Sequence, residues 1–296
     1  MRTIQPLPLL VSIPHGGLDV PGEVADRLAI DATTVYNECD LWAEALYDFA
    51  HPAHTAPTPN VLARVTMPIA RVLIDANRPP ADWANPDGAV KTHTSYGDPI
   101  YRTPLTLTER QMLQTRYWQP FHQRLARAIR QHAAATHLFL DCHNMAQLGP
   151  TAYGDPGAPR PLICLANFGD GRGEAQPGGP KLTCPPALLR AAATVAEELF
   201  ADLTLLEPDP LPPAIVGINR PFVGGYILQQ AAEMLAAAKG RAVPSIMIEI
   251  NRGIFVGRQT SRTPIAPPNQ ARIAAVRARI AQWTKRLLEL AAHADT

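Results

Sequence analysis

The stretch L9-L10-V11-S12-I13-P14-H15-G16-G17 sets a short apolar run against a proline, an ionisable ring and two glycines. A run this short, bounded by turn residues, reads as a strand buried on both faces. The histidine then stands where that strand stops. Whether it is a turn group or part of a site depends on how other strands end.

Strand signals recur in "ARVLIDANR" (70–78), "HLFLDCHN" (137–144), "PLICLAN" (161–167), "DLTLL" (202–206) and "VPSIMIEIN" (243–251). Helical spacing marks a short segment at 21–30, another from Asp40 through "DLWAEALYDFA", and long ones over 108–135, 185–201, 226–239 and 269–294. Apolar strands alternating with amphipathic helices predict one α/β domain over residues 1–296. Its sheet is mostly parallel or mixed, with helices on both faces.

An apolar content of 46% with 18% charged residues supports a sizeable core and excludes global disorder. The formal charge is +1, and no basic cluster is interleaved with aromatics, so nucleic acid is not an expected partner. The start "MRTIQPLPLLVSIPHGG" has neither an apolar segment of signal-peptide length nor a small-residue cleavage site. No run of about 18 apolar residues occurs either. A soluble, cytoplasmic protein with no membrane partner is expected. Cys39, Cys142, Cys164 and Cys184 form no C-x-x-C pair and read as reduced thiols. Proline- and glycine-rich stretches such as "TAPTPN", "NRPPADWANPDG", "EAQPGGPKLTCPP" and "EPDPLPP" read as long loops of the kind that carry binding functions.

Ligands of open α/β sheets gather at the carboxyl ends of the strands. His15, Asn77 with Arg78, Asp141 with His143, and Glu249 all fall at or near such ends. Two histidines on separate strands, with Glu38 and Asp40 at the start of the intervening helix, supply the ligand types of a catalytic zinc, which keeps one position open for water. Capping of turns is the alternative for both histidines. Glu249, flanked by isoleucines, is costly in a buried strand unless it is paired or functional. It is either an ion-pair partner of Arg252 or Arg78, or a general base working on water. Arg71 and Arg78 can grip a carboxylate through paired hydrogen bonds, which suggests an anionic substrate, with a surface role as the alternative for Arg71. Gly224 and Gly225, ahead of the helix that opens with Tyr226, permit close backbone approach to a ligand or merely a helix-entry turn. His122, in "YWQPFHQRL", reads as a packing or supporting residue. "GDGRG" (169–173) lacks the setting of a dinucleotide site, and no phosphate-binding loop occurs.

The blocks "VSIPHGG", "ECDLWAEALY", "RVLIDANRPP", "YGDPIYRTPLT", "RYWQPFHQRL", "LFLDCHNM", "INRPFVGGYI" and "IMIEINRGIF", in this order, resemble the N-formylglutamate amidohydrolase (deformylase) family. That family is similar in turn to zinc carboxypeptidases. The resemblance runs over most of the chain. It implies a carboxypeptidase-like (phosphorylase/hydrolase-like) fold and one zinc per chain, held by His15, Asp40 and His143 with Glu38 as the alternative acid. If Asp40 is the ligand, Glu38 is free to orient His15. The resemblance further implies Glu249 as the base and the Asn77-Arg78 pair as the residues that bind the substrate carboxylate; Arg71, beside the oxyanion, and Gly225 with Tyr226 complete the expected substrate-binding set. The implied reaction is hydrolysis of a small anionic N-acyl amino acid, N-formyl-L-glutamate first, by a monomer or small homo-oligomer acting in amino-acid catabolism such as histidine degradation. Another N-acylated amino acid, a small peptide, or a silent binding homologue are the alternatives. The chain departs from the family pattern at "DCHN" for "DCHS", at "LQQ" after "GGYI" where threonine and arginine are common, and at Met247 in place of glutamine.

Overall fold

A computed structural model describes residues 5–50, 60–209 and 213–294. The opening stretch forms β1 (Leu7–Ile13). Five further strands, β2 (Val61–Thr66), β3 (Leu138–Met145), β4 (Ile163–Ala166), β5 (Val216–Ile218) and β6 (Ser245–Asn251), complete one sheet. The order is β2-β1-β3-β6-β4-β5. The first four strands in that order run parallel, β4 is antiparallel to β6, and β5 is parallel to β4. The sheet is therefore mixed. Its central strands β3 and β6 are buried at every position, the polar Asp141, His143 and Glu249 included.

Helices α1 (Ala32–Asn37), α2 (Ala43–Leu46), α3 (Leu107–Leu113), α4 (Gln119–His132), α5 (Pro186–Phe200), α6 (Tyr226–Lys239) and α7 (Gln270–Ala294) cover both faces. The two-residue period of a strand divides the sheet cleanly. Leu138, Leu140 and Cys142 with Ile246, Ile248 and Ile250 enter the core shared with α5 and α7. Phe139 and Met247 enter the core shared with α4 and α6. Asp141, His143 and Glu249 have the parity of Phe139 and Met247, so all three belong to the second face.

Several sequence expectations are corrected. Residues 70–78 are not a strand: Ile74 N–H donates to Ala70 in a helical turn, and the segment touches strand geometry only in an isolated bridge between Ile74 and Val90. It reads as a strand because Ala70, Val72, Leu73 and Ile74 are fully buried. The strand here is β2, just upstream. "DLTLL" is likewise irregular, and β5 lies at 216–218. The segment at 21–30 forms only a single tight turn, Ala25–Arg27, and the helix after Asp40 is limited to α2. Of the expected loops, residues 55–59 and 210–212 lie outside the described residues.

All four cysteines are buried and free, and burial pushes the thiols of Cys39, Cys164 and Cys184 up to about 12, leaving them inert. Among the described residues no helix is long and apolar enough to cross a membrane.

Candidate active site

His15 stands two residues past the end of β1, after Pro14, and the chain turns there because Gly16 and Gly17 allow it. A Cβ on Gly17 would stand 2.1 Å from the Pro68 carbonyl oxygen, so only glycine lets these two loops close. The backbone of Asp40 then donates to the His15 carbonyl at 2.9 Å, which ties the entry to α2 to the end of β1. His143 lies within β3 and is the register partner of Glu249 on β6. All four side chains are buried, His15, Asp40, His143 and Glu249 being 3%, 2%, 1% and 7% exposed.

Three atoms converge. His143 Nδ1 lies 3.1 Å from His15 Nδ1 and 3.2 Å from Asp40 Oδ2, and His15 Nδ1 lies 3.5 Å from the same oxygen. The opposite ring nitrogens face carboxylates. His15 Nε2 meets Asp75 Oδ1 at 2.7 Å, and His143 Nε2 is 3.1 Å from Asp141 Oδ2, in an approach too oblique to count as a hydrogen bond. The Asp75 carboxylate holds a proton on His15 Nε2 and so frees its Nδ1 lone pair, which points with His143 Nδ1 and a carboxylate oxygen of Asp40 at one spot. Three electron-rich atoms repel one another unless a cation sits among them, so the donor set fits a metal ion. The same field acts on protons: burial opposes charge on His143, but Asp141 and Asp40 outweigh it and hold its pKa well above the ordinary value. Burial also works against ionised Asp40, yet the neighbouring His143, His15 and Arg71 keep its pKa low.

Glu38 is outside this group. Its Oε2 accepts from Ser95 N–H at 3.0 Å and from the Ser95 hydroxyl at 2.7 Å. The orienting partner of His15 is therefore Asp75, and the expectation that Glu38 fills that role is corrected. Glu38 still lines the cavity with Glu249, Arg71, Arg78, Arg160 and Arg252.

Glu249 makes no ion pair with Arg252 or Arg78. Arg252 instead donates through Nη1 to the Asn37 and Cys39 carbonyls, and Arg78 is engaged by Asp87. Burial raises the Glu249 carboxyl to about 7, only partly offset by His143. Arg71 bridges the acids, with Nη2 at 3.0 Å from Asp75 Oδ2 and Nη1 at 3.6 Å from Asp40 Oδ1.

Asn77 Oδ1 accepts the Ile227 N–H at 2.9 Å, capping α6, while its Nδ2 approaches His143 Nε2 at 3.4 Å. Gly225 packs on this amide: an added Cβ would lie 2.3 Å from Asn77 Nδ2. Gly225 and Tyr226 thus sit behind the cavity wall, and it is Gly224 and Phe222 that reach the cavity. Sequence reasoning missed Asp75, Ser95 and Arg160. Arg160 is held bidentately by Asp155 at 2.7 and 2.9 Å, with its guanidinium over Phe222. The one available signal was Asp75 itself, a charge inside the apolar run "RVLIDA".

Similar proteins agree with this architecture. A crystal structure of N-formylglutamate amidohydrolase from Ralstonia eutropha JMP134 superposes with a TM-score of 0.66 at 21% identity, covering 98% of this chain and 96% of that one. N-formylglutamate deformylase of Pseudomonas putida is 30% identical over 129 residues, which span 42% of this chain and 45% of that relative. A family model matches residues 7–256, and on that span the chain belongs to the N-formylglutamate amidohydrolase family.

Proposed function

We propose that the chain is a zinc-dependent amidohydrolase that cleaves an N-acyl amino acid, with N-formyl-L-glutamate, giving formate and L-glutamate, as the first candidate substrate. The observation that carries this reading is the register pairing of His143 with Glu249. It sets a buried, unpaired carboxyl beside three converging donor atoms in one cavity. Zinc at His15, Asp40 and His143 is supported by the spacing of those atoms. Ligands at the usual 2.0–2.1 Å from a tetrahedral ion are separated by about 3.3–3.4 Å, and the three observed separations are 3.1, 3.2 and 3.5 Å.

When bound, zinc supplies a Lewis acid that acidifies water and polarises the acyl oxygen. Glu249 takes a proton from the attacking water, for which a carboxyl near neutrality is well matched, and returns it to the departing amine. Arg71, anchored on Asp75, stands where developing negative charge on the acyl oxygen needs a fixed positive partner. Arg78 binds the substrate's α-carboxylate, and Asn77 holds that loop against α6.

The test is amine release from N-formyl, N-acetyl and dipeptide substrates by zinc-replete protein, with metal content measured in parallel. About one zinc per chain and turnover of N-formyl-L-glutamate are expected, the metal being lost in His15→Ala and His143→Ala. Bound zinc without turnover of any N-acyl substrate would overturn the reading in favour of a binding protein.

A further inference from the structure

The loop that carries Asn77 and Arg78 is irregular, so the sheet does not fix it, yet three successive carbonyls in it are each taken by a donor from outside. Ala76 O meets His122 Nε2 at 2.9 Å, Asn77 O accepts the Tyr226 N–H at 3.4 Å, and Arg78 O accepts Trp118 Nε1–H at 3.2 Å. A carbonyl can only accept, so His122 presents its Nε2–H there. Trp118 and His122 are one turn apart, with ring centroids 3.8 Å apart, and Tyr226 packs against both at 5.8 and 5.5 Å. The three rings form one block that grips the loop backbone on both sides of Asn77.

The sequence around Trp118 explains how the block reaches its place. Pro120 has no N–H to give, so the helix cannot continue its regular ladder through this point. The chain instead makes a wide turn over Gln114–Trp118, in which Gln119 N–H bonds back to Gln114 O. One extra residue in a helix rotates everything after it by about 100°. α3 can thus bury Arg110 and Leu113 while the end of the wide turn and the start of α4 bring Trp118 and His122 to the loop. Burial of His122 holds its pKa down at about 4, so the ring stays neutral at ordinary pH.

We propose that Trp118 and His122 are positioning residues for recognition of the substrate carboxylate: they act through the backbone of residues 76–78 to set the direction of the Arg78 guanidinium. The inference rests on Arg78 being the carboxylate-binding residue. It makes the wide turn before α4 part of the specificity apparatus and not a packing irregularity.

The experiment compares wild type with His122→Phe, His122→Gln and Trp118→Phe, using N-formyl-L-glutamate and its α-amide. For His122→Phe, KM for the acid should rise on the order of tenfold, the worth of one misdirected hydrogen bond to a charged group, and more than kcat falls. KM for the α-amide should stay within about twofold of wild type. His122→Gln, which can still donate to Ala76 O, should bring KM back toward the wild-type value. Trp118→Phe should resemble His122→Phe. If KM rises equally for both substrates, or glutamine gives no rescue while the fold is intact, the inference fails. If Arg78→Lys itself raises KM equally for acid and amide, the failure lies in the reading of Arg78. Hydrogen exchange gives a readout free of turnover: the Asn77 and Arg78 amides should exchange roughly tenfold faster in His122→Phe and not in His122→Gln. Unchanged exchange in both would overturn the proposal.

Discussion

Asp75 accepts from His15 across 60 residues of chain, with its Oδ1 2.7 Å from His15 Nε2, and the same oxygen accepts the Asn77 N–H at 2.8 Å. One buried carboxylate therefore orients a histidine of the proposed metal site and anchors the loop proposed to bind substrate. Burial opposes its ionisation, but His15, Arg71 and Arg78 hold its pKa well below the ordinary range. Asp75→Asn keeps the shape and removes the charge. Zinc affinity, measured by competition with a chromophoric chelator, should fall about 10–100-fold, the usual effect of losing such an orienting group.

Glu249→Gln retains the side-chain outline but cannot accept a proton. Turnover should fall by about 100 to 10,000-fold with zinc content unchanged. The pH profile carries the sign: the base works ionised, and burial places its carboxyl at about 7. In wild type kcat/KM should decline as pH falls below that value, or below a somewhat lower one once a divalent cation is bound nearby. The residual activity of the variant should lack this limb. Stability runs the other way. A raised folded-state pKa contributes stability that is complete below the ordinary value of 4.5 and is lost as pH rises through about 7. The variant should therefore gain stability relative to wild type on the alkaline side, as read by denaturant titration of metal-free protein at pH 5 and pH 8.

The parts of this site that were legible in the sequence lie on strands with strong local signals. β1, β3 and β6 are continuous apolar runs, and a histidine or glutamate inside or just after one is conspicuous. Residues 70–78 mislead because burial on all sides gives an irregular segment the same composition as a strand, and periodicity cannot separate the two over so few residues. β2 escapes because Arg64 interrupts its apolar pattern at the sheet edge, and β5 has only three residues. The pairing of His15 with Asp75 and the entry of Arg160 into the cavity are long-range contacts, which no local pattern encodes. The choice between Glu38 and Asp40 is of the same kind: it turns on where Ser95 sits, since Ser95 engages Glu38 and leaves Asp40 beside the two histidines.

Gly225 provides a steric test of the loop's support. Its own backbone is extended, at φ −149°, so alanine meets no conformational penalty there. The added methyl would instead overlap the Asn77 amide, with contacts of 2.3 to 2.6 Å to its Nδ2, Oδ1 and Cγ. Gly225→Ala should destabilise the fold by about 1–3 kcal/mol, as overpacking does. It should also lower activity, because Asn77 must leave either the cap of α6 or its place beside His143. A thermal melt and an amine-release assay on the same preparation check both effects. Wild-type stability would mean that α6 shifts freely and that the Asn77 cap is not a fixed support.

Arg78 already spends one edge of its guanidinium. Nε donates to the Asp87 carbonyl at 3.0 Å and Nη2 to Asp87 Oδ2 at 2.5 Å, and Lys91, fully buried, holds the same carboxylate through Oδ1 at 2.5 Å. The remaining edge, Nη1 with the second hydrogen of Nη2, is left for a ligand, and Pro79 and Pro80 stiffen the chain behind it. Arg78→Lys keeps the charge but cannot hold Asp87 and a substrate carboxylate at once. Catalytic efficiency on N-formyl-L-glutamate should drop by roughly 1.5–3 kcal/mol, on the order of tenfold to a hundredfold. On the α-amide, which offers no anion to grip, wild type should be slow and the substitution should cost little more. Equal losses on acid and amide would mean that Arg78 serves the Asp87–Lys91 network and the fold, and recognition of the carboxylate would then pass to Arg160 or Arg252, which also line the cavity.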